Sequence, residues 1–424
     1  MAKIKEITAR EILDSRGNPT IEATVTLSDN TSASASCPSG ASVGTYEAME
    51  LRDNNPDRMN GMGVLKAIEN IENSIAPQLR GMEAENQVEV DKAMIDLDGT
   101  PNKSILGANA TLSVSMATAR VAAKSSAVPL FLYLRQFTPK KNSLKIPTPL
   151  FNIINGGKHA HGNIDFQEFQ IIPASHIPYA KALELADDVY KSLEKLLLEK
   201  NLSTLIGDEG GFAPTLTHNS EAFGLLKQAI EATNLRLSAD MFLGLDAASN
   251  SFFKDNKYHL KDRNVPYSSD DMIEYYKNLL TEYNLLYLED PLSEDDWEGW
   301  QKLLLAIGSQ TLIVGDDLTV TNPYRLQMAM TNQSINGIII KPNQIGTVIE
   351  TLAVVEAARS SNLQVIVSHR SGETNDDFIA DFAVAVSADY VKFGAPARGE
   401  RVAKYNRLLQ IDEQLRTIEG NGVA

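Results

Sequence analysis

The sequence predicts an eight-stranded α/β barrel preceded by a smaller α+β domain. Two observations lead there. Beyond about residue 150, short apolar runs alternate with helical patterns, and many runs end in a polar or charged residue. Those ends are Asp246, Glu289, Asp316, Lys341, His369 and Lys392, and from Glu289 onward they are separated by 27, 25, 28 and 23 residues. Each interval is about one strand–helix unit of a barrel of roughly 250 residues. Ahead of this rhythm, residues 1–136 read as strands followed by helices, which marks a separate α+β unit.

The elements follow in order. "TIEATVTLSD" alternates with period two, and "SDNT" is a turn signal before "SASASC", so residues 1 to about 37 predict a three-stranded antiparallel meander. "PSGASVG" (38–44) is small, polar and glycine-bearing, as expected of a mobile loop. Helical spacing appears over 63–79, 84–98 and 109–127. The proline- and lysine-rich stretch 137–149 reads as a linker, and 150–424 as the barrel domain.

Bulk properties narrow the function classes. A chain of 424 residues is too long for one ordinary core, and 43% hydrophobic with 22% charged residues is the composition of a globular protein. A net charge of −16 argues against a general nucleic-acid or anionic-membrane surface. A small anionic substrate would then need local positive charge from bases or metal ions. Cys37 is the single cysteine, so no internal disulfide forms and a reducing compartment fits. The first residues lack the apolar core of a signal peptide, and no stretch is long enough to span a bilayer. The expectation is a cytoplasmic protein.

In a barrel of parallel strands the C-terminal strand ends converge on one face, where active sites form. Asp246, Glu289 and Asp316 would bring three hard oxygen ligands together, a set suited to Mg²⁺ or Mn²⁺ and poorly suited to zinc. A lone Asp after a strand is commonly a helix cap. Three of them facing two lysines favour a metal. Lys341, His369, Arg370 and Lys392 would stand opposite. A lone strand-end lysine can simply snorkel, but burial and neighbouring cations would lower the pKa of Lys341 toward that of a usable base. In "LIGDEGGFAP" the adjacent Asp208 and Glu209 would raise one another's pKa, leaving one as an acid. The loop 152–170 adds His159, His161, Gln167 and Glu168.

The whole chain resembles the enolase family. The motifs that carry the resemblance are "DSRGNPT" (14–20), "PSGAS" with "YEAMELRD" (38–53), "NGGKHA" (155–160), "GDEGG" (207–211), "LEDPLSEDDWEGW" (288–300), "GDDLTVTNP" (315–323), "KPNQIGT" (341–347), "SHRSGET" (368–374) and "KFGAPARGER" (392–401), in the family's order from end to end. The resemblance implies a TIM-like barrel and the reversible dehydration of 2-phosphoglycerate to phosphoenolpyruvate, with two Mg²⁺ per site. It implies Lys341 as the base at C2, and Glu209 as the acid at the C3 hydroxyl with Glu168 and Gln167 assisting. His369 joins the catalytic group. Asp246, Glu289 and Asp316 would hold the first Mg²⁺, and Ser42 the second together with the substrate phosphate. Arg370 and Ser371 would bind phosphate, and Lys392 and His159 the substrate. It further implies a homo-oligomer (dimer or octamer), and allows an RNA-degradation assembly or surface-receptor partners with a secondary cell-surface or secreted pool.

Three positions depart from the family pattern: Pro342, "HAHG" with His161, and Asn375. Two rival readings compete. A racemase or cycloisomerase of the same superfamily would share the metal carboxylates, but not "PSGAS", "GDEGG" and "SHRSGET" together. A non-catalytic surface binder or scaffold would not need the intact site.

Overall fold

The computed structural model describes residues 2–40, 44–138, 143–160, 164–261 and 263–420. Its first strands, β1 (Ile4–Leu13), β2 (Pro19–Leu27) and β3 (Ser32–Ser36), form the expected antiparallel meander. Asp14 makes the first hairpin: its Oδ1 accepts N–H bonds from Arg16 and Asn18, both at 2.8 Å. Such side-chain turns are what place Asp between strands. Ile21, Ala23, Val25 and Leu27 line one face of β2 and are fully buried. Helices occupy Leu65–Asn70 (continued by turns to Leu79), Gln87–Asp98, Ala108–Ser125 and Leu130–Arg135. The helix Ala108–Ser125 is buried on nearly every side because Ala, Ser and Thr let neighbours approach closely. Thr111 and Ser115 on it bond the backbone of Gly346 and Val348, tying the first domain to the barrel just beyond Lys341.

The barrel comprises β4 (Thr148–Asn155), β5 (Glu168–Pro173), β6 (Met241–Asp246), β9 (Tyr287–Glu289), β10 (Leu312–Gly315), β11 (Gly337–Ile340), β12 (Gln364–Ser368) and β13 (Tyr390–Lys392). A side hairpin of β7 (Phe253–Lys254) and β8 (Lys257–Tyr258) interrupts the series. The eight strands close in the order β10-β11-β12-β13-β4-β5-β6-β9. β4 begins at Thr148, inside the stretch expected as linker, because Thr148 already pairs with Tyr390. Six of the eight neighbouring pairs are parallel, but β5 runs antiparallel to both β4 and β6. This reversal was not expected from the repeating strand–helix spacing. It turns the start of β5, Glu168, toward the face where the other strands end.

Side-chain alternation explains what that face contains. Leu150, Ile172, Tyr287, Val314, Ile339 and Ile366 meet inside the barrel as a separate apolar layer. Ile338 and Ile340 point outward and join the larger core under the helices. A strand buried on both faces reads as a continuous apolar run, which is what "GIII" is. Two residues beyond the inner layer the side chain points inward again. Tyr287 is thus followed by Glu289, Val314 by Asp316, and Ile339 by Lys341. Apolar residues plug the barrel, and polar ones stand on the plug.

Candidate active site

The structure brings Lys341, Glu168, Glu209, His159, Gln167, His369, Arg370, Ser371, Lys392, Asp246 and Asp316 to one pocket on that face. Glu289 lies just beneath, fully buried. Ser42 and His161 lie outside the described residues. Asp246, Glu289 and Lys392 are the last residues of β6, β9 and β13, while Asp316, Lys341 and His369 follow their strands by one.

Lys392 sits among the carboxylates rather than opposite them. Its Nζ lies 3.0 Å from Asp246, 3.1 Å from Glu168 and 2.8 Å from Glu289. Burial pulls the Lys392 ammonium down, but these carboxylates raise it well above the ordinary lysine value. Lys341 is ion-paired with Asp316. Burial is the largest influence and lowers its pKa as expected, but the Asp316 and Glu289 charges act together against it and the lysine is left raised. The expected lowering is therefore not a property of the protein alone.

Pro342 costs nothing here. It opens the short turn Pro342–Gln344, where a first-turn residue needs no N–H. The Lys341 N–H is bonded to Thr321 Oγ1 at 2.9 Å. Asn375 is exposed.

Around the acids the sequence expectation needs correction. Asp208 does not raise Glu209, because it points away to Arg16 at 3.4 Å. Glu209 is buried and accepts from Asn152 Nδ2 at 3.0 Å, with His369 Nε2 at 3.2 Å and His159 Nδ1 at 3.7 Å. Burial pushes its carboxyl up, but His159, His369 and Arg401 hold it well below the usual range. Burial also lowers His159 and takes His369 down to about 3, which favours neutral imidazoles beside Glu209. Glu168 shifts the other way. Burial, and then the Glu209 charge, raise it well above an ordinary carboxyl. Two close carboxyls pushed apart in this way share one proton, which rests on Glu168. Gly207 permits the approach, since a Cβ there would come within 2.5 Å of the His159 carbonyl oxygen.

Among the described residues, two groups of side chains converge closely enough to hold a cation: His159, Glu168 and Glu209, and Glu289, Asp290 and Asp316. Asp290 was missed by sequence reasoning, although "EDP" and "GDD" are both acidic doublets. Its oxygens accept the backbone N–H groups of Asp316 (3.0 Å) and Asp317 (2.8 Å), so it clamps the loop that carries Asp316. Burial and the Asp246 charge raise Glu289 to about 8, and burial and Asp316 raise Asp317 to about 7. Carboxylates pushed up by mutual repulsion, with an ammonium drawn in among them, form an all-oxygen set that fits a hard divalent cation.

Glu47 was also missed. It reaches in from the first domain and pairs with Arg370 at 2.9 Å, and only its place in "YEAMELRD" hinted at it. Among the described residues, no helix is long and apolar enough to cross a membrane.

Comparisons with known proteins agree with this geometry. Residues 4–134 match the family model "Enolase, N-terminal domain", and residues 143–420 match "Enolase, C-terminal TIM barrel domain". The chain is 50% identical over 417 residues to the enolases of Helicobacter pylori strains J99 and HPAG1, covering 98% of this chain and 97% of each relative. It belongs to the enolase family, and its activity is the reversible dehydration of 2-phosphoglycerate to phosphoenolpyruvate.

Proposed function

We propose that Lys341 removes the C2 proton and that Glu209, with Glu168 beside it, returns a proton to the departing C3 hydroxyl. The observation that carries this is the pocket itself: Lys341 is paired with Asp316, while Glu168 and Glu209 converge with His159 in a separate group of the same pocket. A C2 proton beside a carboxylate is weakly acidic, since its loss puts a second negative charge on an anion. A lysine or histidine base working with one or two Mg²⁺ is the known pattern of enolase-superfamily sites, and the role given to Lys341 follows that pattern. Asp246, Glu289 and Asp316 would hold a first Mg²⁺, and Ser42 would help hold a second. When bound, these ions stabilise the negative charge that builds on the substrate carboxylate.

The remaining groups bind and orient. Arg370 and Ser371 are proposed to hold the phosphate, and Lys392, His159 and Gln167 the substrate. Arg370 already faces an anion, the Glu47 carboxylate, in a buried pair, which is the geometry a phosphate would meet. Glu168 holds the shared proton at rest, and Glu209 is the partner through which it reaches the hydroxyl. Two domains, the second starting no later than Thr148 rather than at 150, a dimeric or octameric assembly and a cytoplasmic location complete the proposal on the strength of the resemblance. Phosphoenolpyruvate formation from 2-phosphoglycerate, followed with Mg²⁺ and with excess chelator, tests the reading. Product is expected only with the metal, and product formed equally in chelator would overturn the metal assignment.

A further inference from the structure

We infer that Arg401 is the positioning residue that fixes the tautomer of His369 and so makes that histidine a hydrogen-bond donor to Glu209. This rests on the proposed role of Glu209. Arg401 is fully buried at the start of the helix Gly399–Gly420. Its Nη1 contacts His369 Nδ1 at 2.8 Å and donates to the Arg370 carbonyl at 2.6 Å. Its Nη2 donates to the carbonyls of Asp208 (3.1 Å) and Ser371 (2.5 Å). One guanidinium therefore joins the loop carrying Glu209 to the loop carrying His369.

A guanidinium has five N–H donors, no acceptor, and does not deprotonate in proteins. His369 Nδ1 must then present its lone pair. A proton on Nδ1 would point at another N–H, which excludes both the Nδ1–H tautomer and the imidazolium. The neutral ring carries its proton on Nε2, and Nε2 faces Glu209 Oε2 at 3.2 Å. The charged groups around the ring are Glu209, Arg401 and Lys392, whose backbone carbonyl accepts the His369 N–H at 2.9 Å. Gly394 makes room for this cluster at φ +86°. A Cβ there would lie 2.8 Å from the Glu209 carbonyl oxygen and 3.0 Å from both Arg401 Cδ and His369 Cε1. His369 is thus not a proton-transfer group. It presents its Nε2 proton to the Glu209 carboxylate.

The test uses the full-length enzyme with ¹⁵N-labelled histidine rings, the six histidines being assigned with His369→Gln. In the wild type the His369 signal should show a protonated Nε2 and an unprotonated Nδ1, unchanged from about pH 5.5 to about pH 8.5 around the ordinary histidine pKa. A proton on Nδ1, or titration in that range, overturns the inference without any variant of Arg401. Arg401→Gln should let His369 titrate and add an ionisation to the acid limb of the pH–rate profile. It should lower kcat by about 10- to 100-fold, the usual cost of losing a group that orients a functional histidine, with KM little changed. Arg401→Lys, which keeps a donor, should retain the tautomer. An Arg401→Gln enzyme with the wild-type tautomer and pH profile would remove Arg401 from this role. A correct tautomer with no effect of Glu209→Gln on dehydration would instead fault the role given to Glu209.

Discussion

Replacing Lys392 by Met tests whether the floor of the site is a charge cluster. Its Nζ lies within 2.8–3.1 Å of three carboxylates, all of them buried. At about 3 Å and an effective dielectric constant of about 20, each attraction is about 5 kcal/mol. Desolvating the ammonium and its three partners offsets most of that sum, at several kcal/mol per ion. Removing one partner is a different quantity, because unpaired buried charge remains. The expected loss is about 3–5 kcal/mol of unfolding free energy in excess chelator near pH 8. It should shrink toward pH 5, well below the value of about 8 to which burial and the Asp246 charge raise Glu289, because that carboxylate can then take up a proton instead. Mg²⁺ should restore part of it, about 2.7 kcal/mol at 100 times its dissociation constant. Urea unfolding followed by tryptophan fluorescence is a suitable assay, since both tryptophans, Trp297 and Trp300, lie in one barrel helix. A loss below about 1 kcal/mol in chelator, or one equal at both pH values, would refute the argument that ionised carboxylates crowd this point.

Lys341→Ala should abolish both dehydration and exchange of the C2 hydrogen with solvent deuterium, and near wild-type exchange would place the base elsewhere. Glu209→Gln should slow dehydration by roughly 10²- to 10⁴-fold while exchange stays measurable; equal loss of both would assign Glu209 to binding or to the first step. Divalent-metal binding near pH 7 should release about one proton, because Glu289 stands at about 8 and Asp317 at about 7 without a cation. Calorimetry in two buffers of different ionisation enthalpy reads this, and no release would mean that those groups keep their protons beside the metal. Asp91, which caps Ile349 across the domain boundary, is raised by burial to about 7. Its ionisation therefore lowers stability as pH rises from its unfolded value through about 7. The advantage of wild type over Asp91→Asn should fall by about 2–3 kcal/mol between about pH 5 and about pH 8, and an advantage that grows would reverse the sign.

The barrel was legible because its strands are short apolar runs at a steady interval, each terminated by a residue that cannot stay in the plug. "GIIIK" contains both halves of that logic, with Ile339 inside and Lys341 two positions on. The role of Glu168 was legible only through resemblance. Interval reasoning looks for chemistry at C-terminal strand ends, and β5 is reversed, so its functional residue stands at the beginning. Glu47 was hidden for another reason. It belongs to the first domain, and nothing local says that it will meet Arg370, which lies 323 residues away. Protonation was the least legible property. Asp208 and Glu209 look like a coupled pair in the chain, but adjacent side chains here point to different partners, Arg16 and two imidazoles.

The charges of the pocket explain why metal and base belong to one argument. Seven carboxylate side chains line it against four cationic ones. Three of the cations are already engaged: Lys341 by Asp316, Arg370 by Glu47, and Lys392 by three carboxylates at once. The fourth, Lys158, is exposed at the margin. A phosphorylated carboxylate adds further negative charge to a pocket already in deficit, on a chain of net charge −16. A bound cation would offset that excess, in keeping with the proposed metal site. The same exchange would act on Lys341, the proposed base. While Asp316 is the partner of Lys341, it raises the pKa of that lysine and disfavours the neutral amine. Once Asp316 and Glu289 have another positive partner, burial and the nearby Arg370 and Lys392 charges remain, and each of these lowers the pKa. On the proposed mechanism, Lys341 would become a base only in the state of the site that can also hold the anion from which it takes the proton.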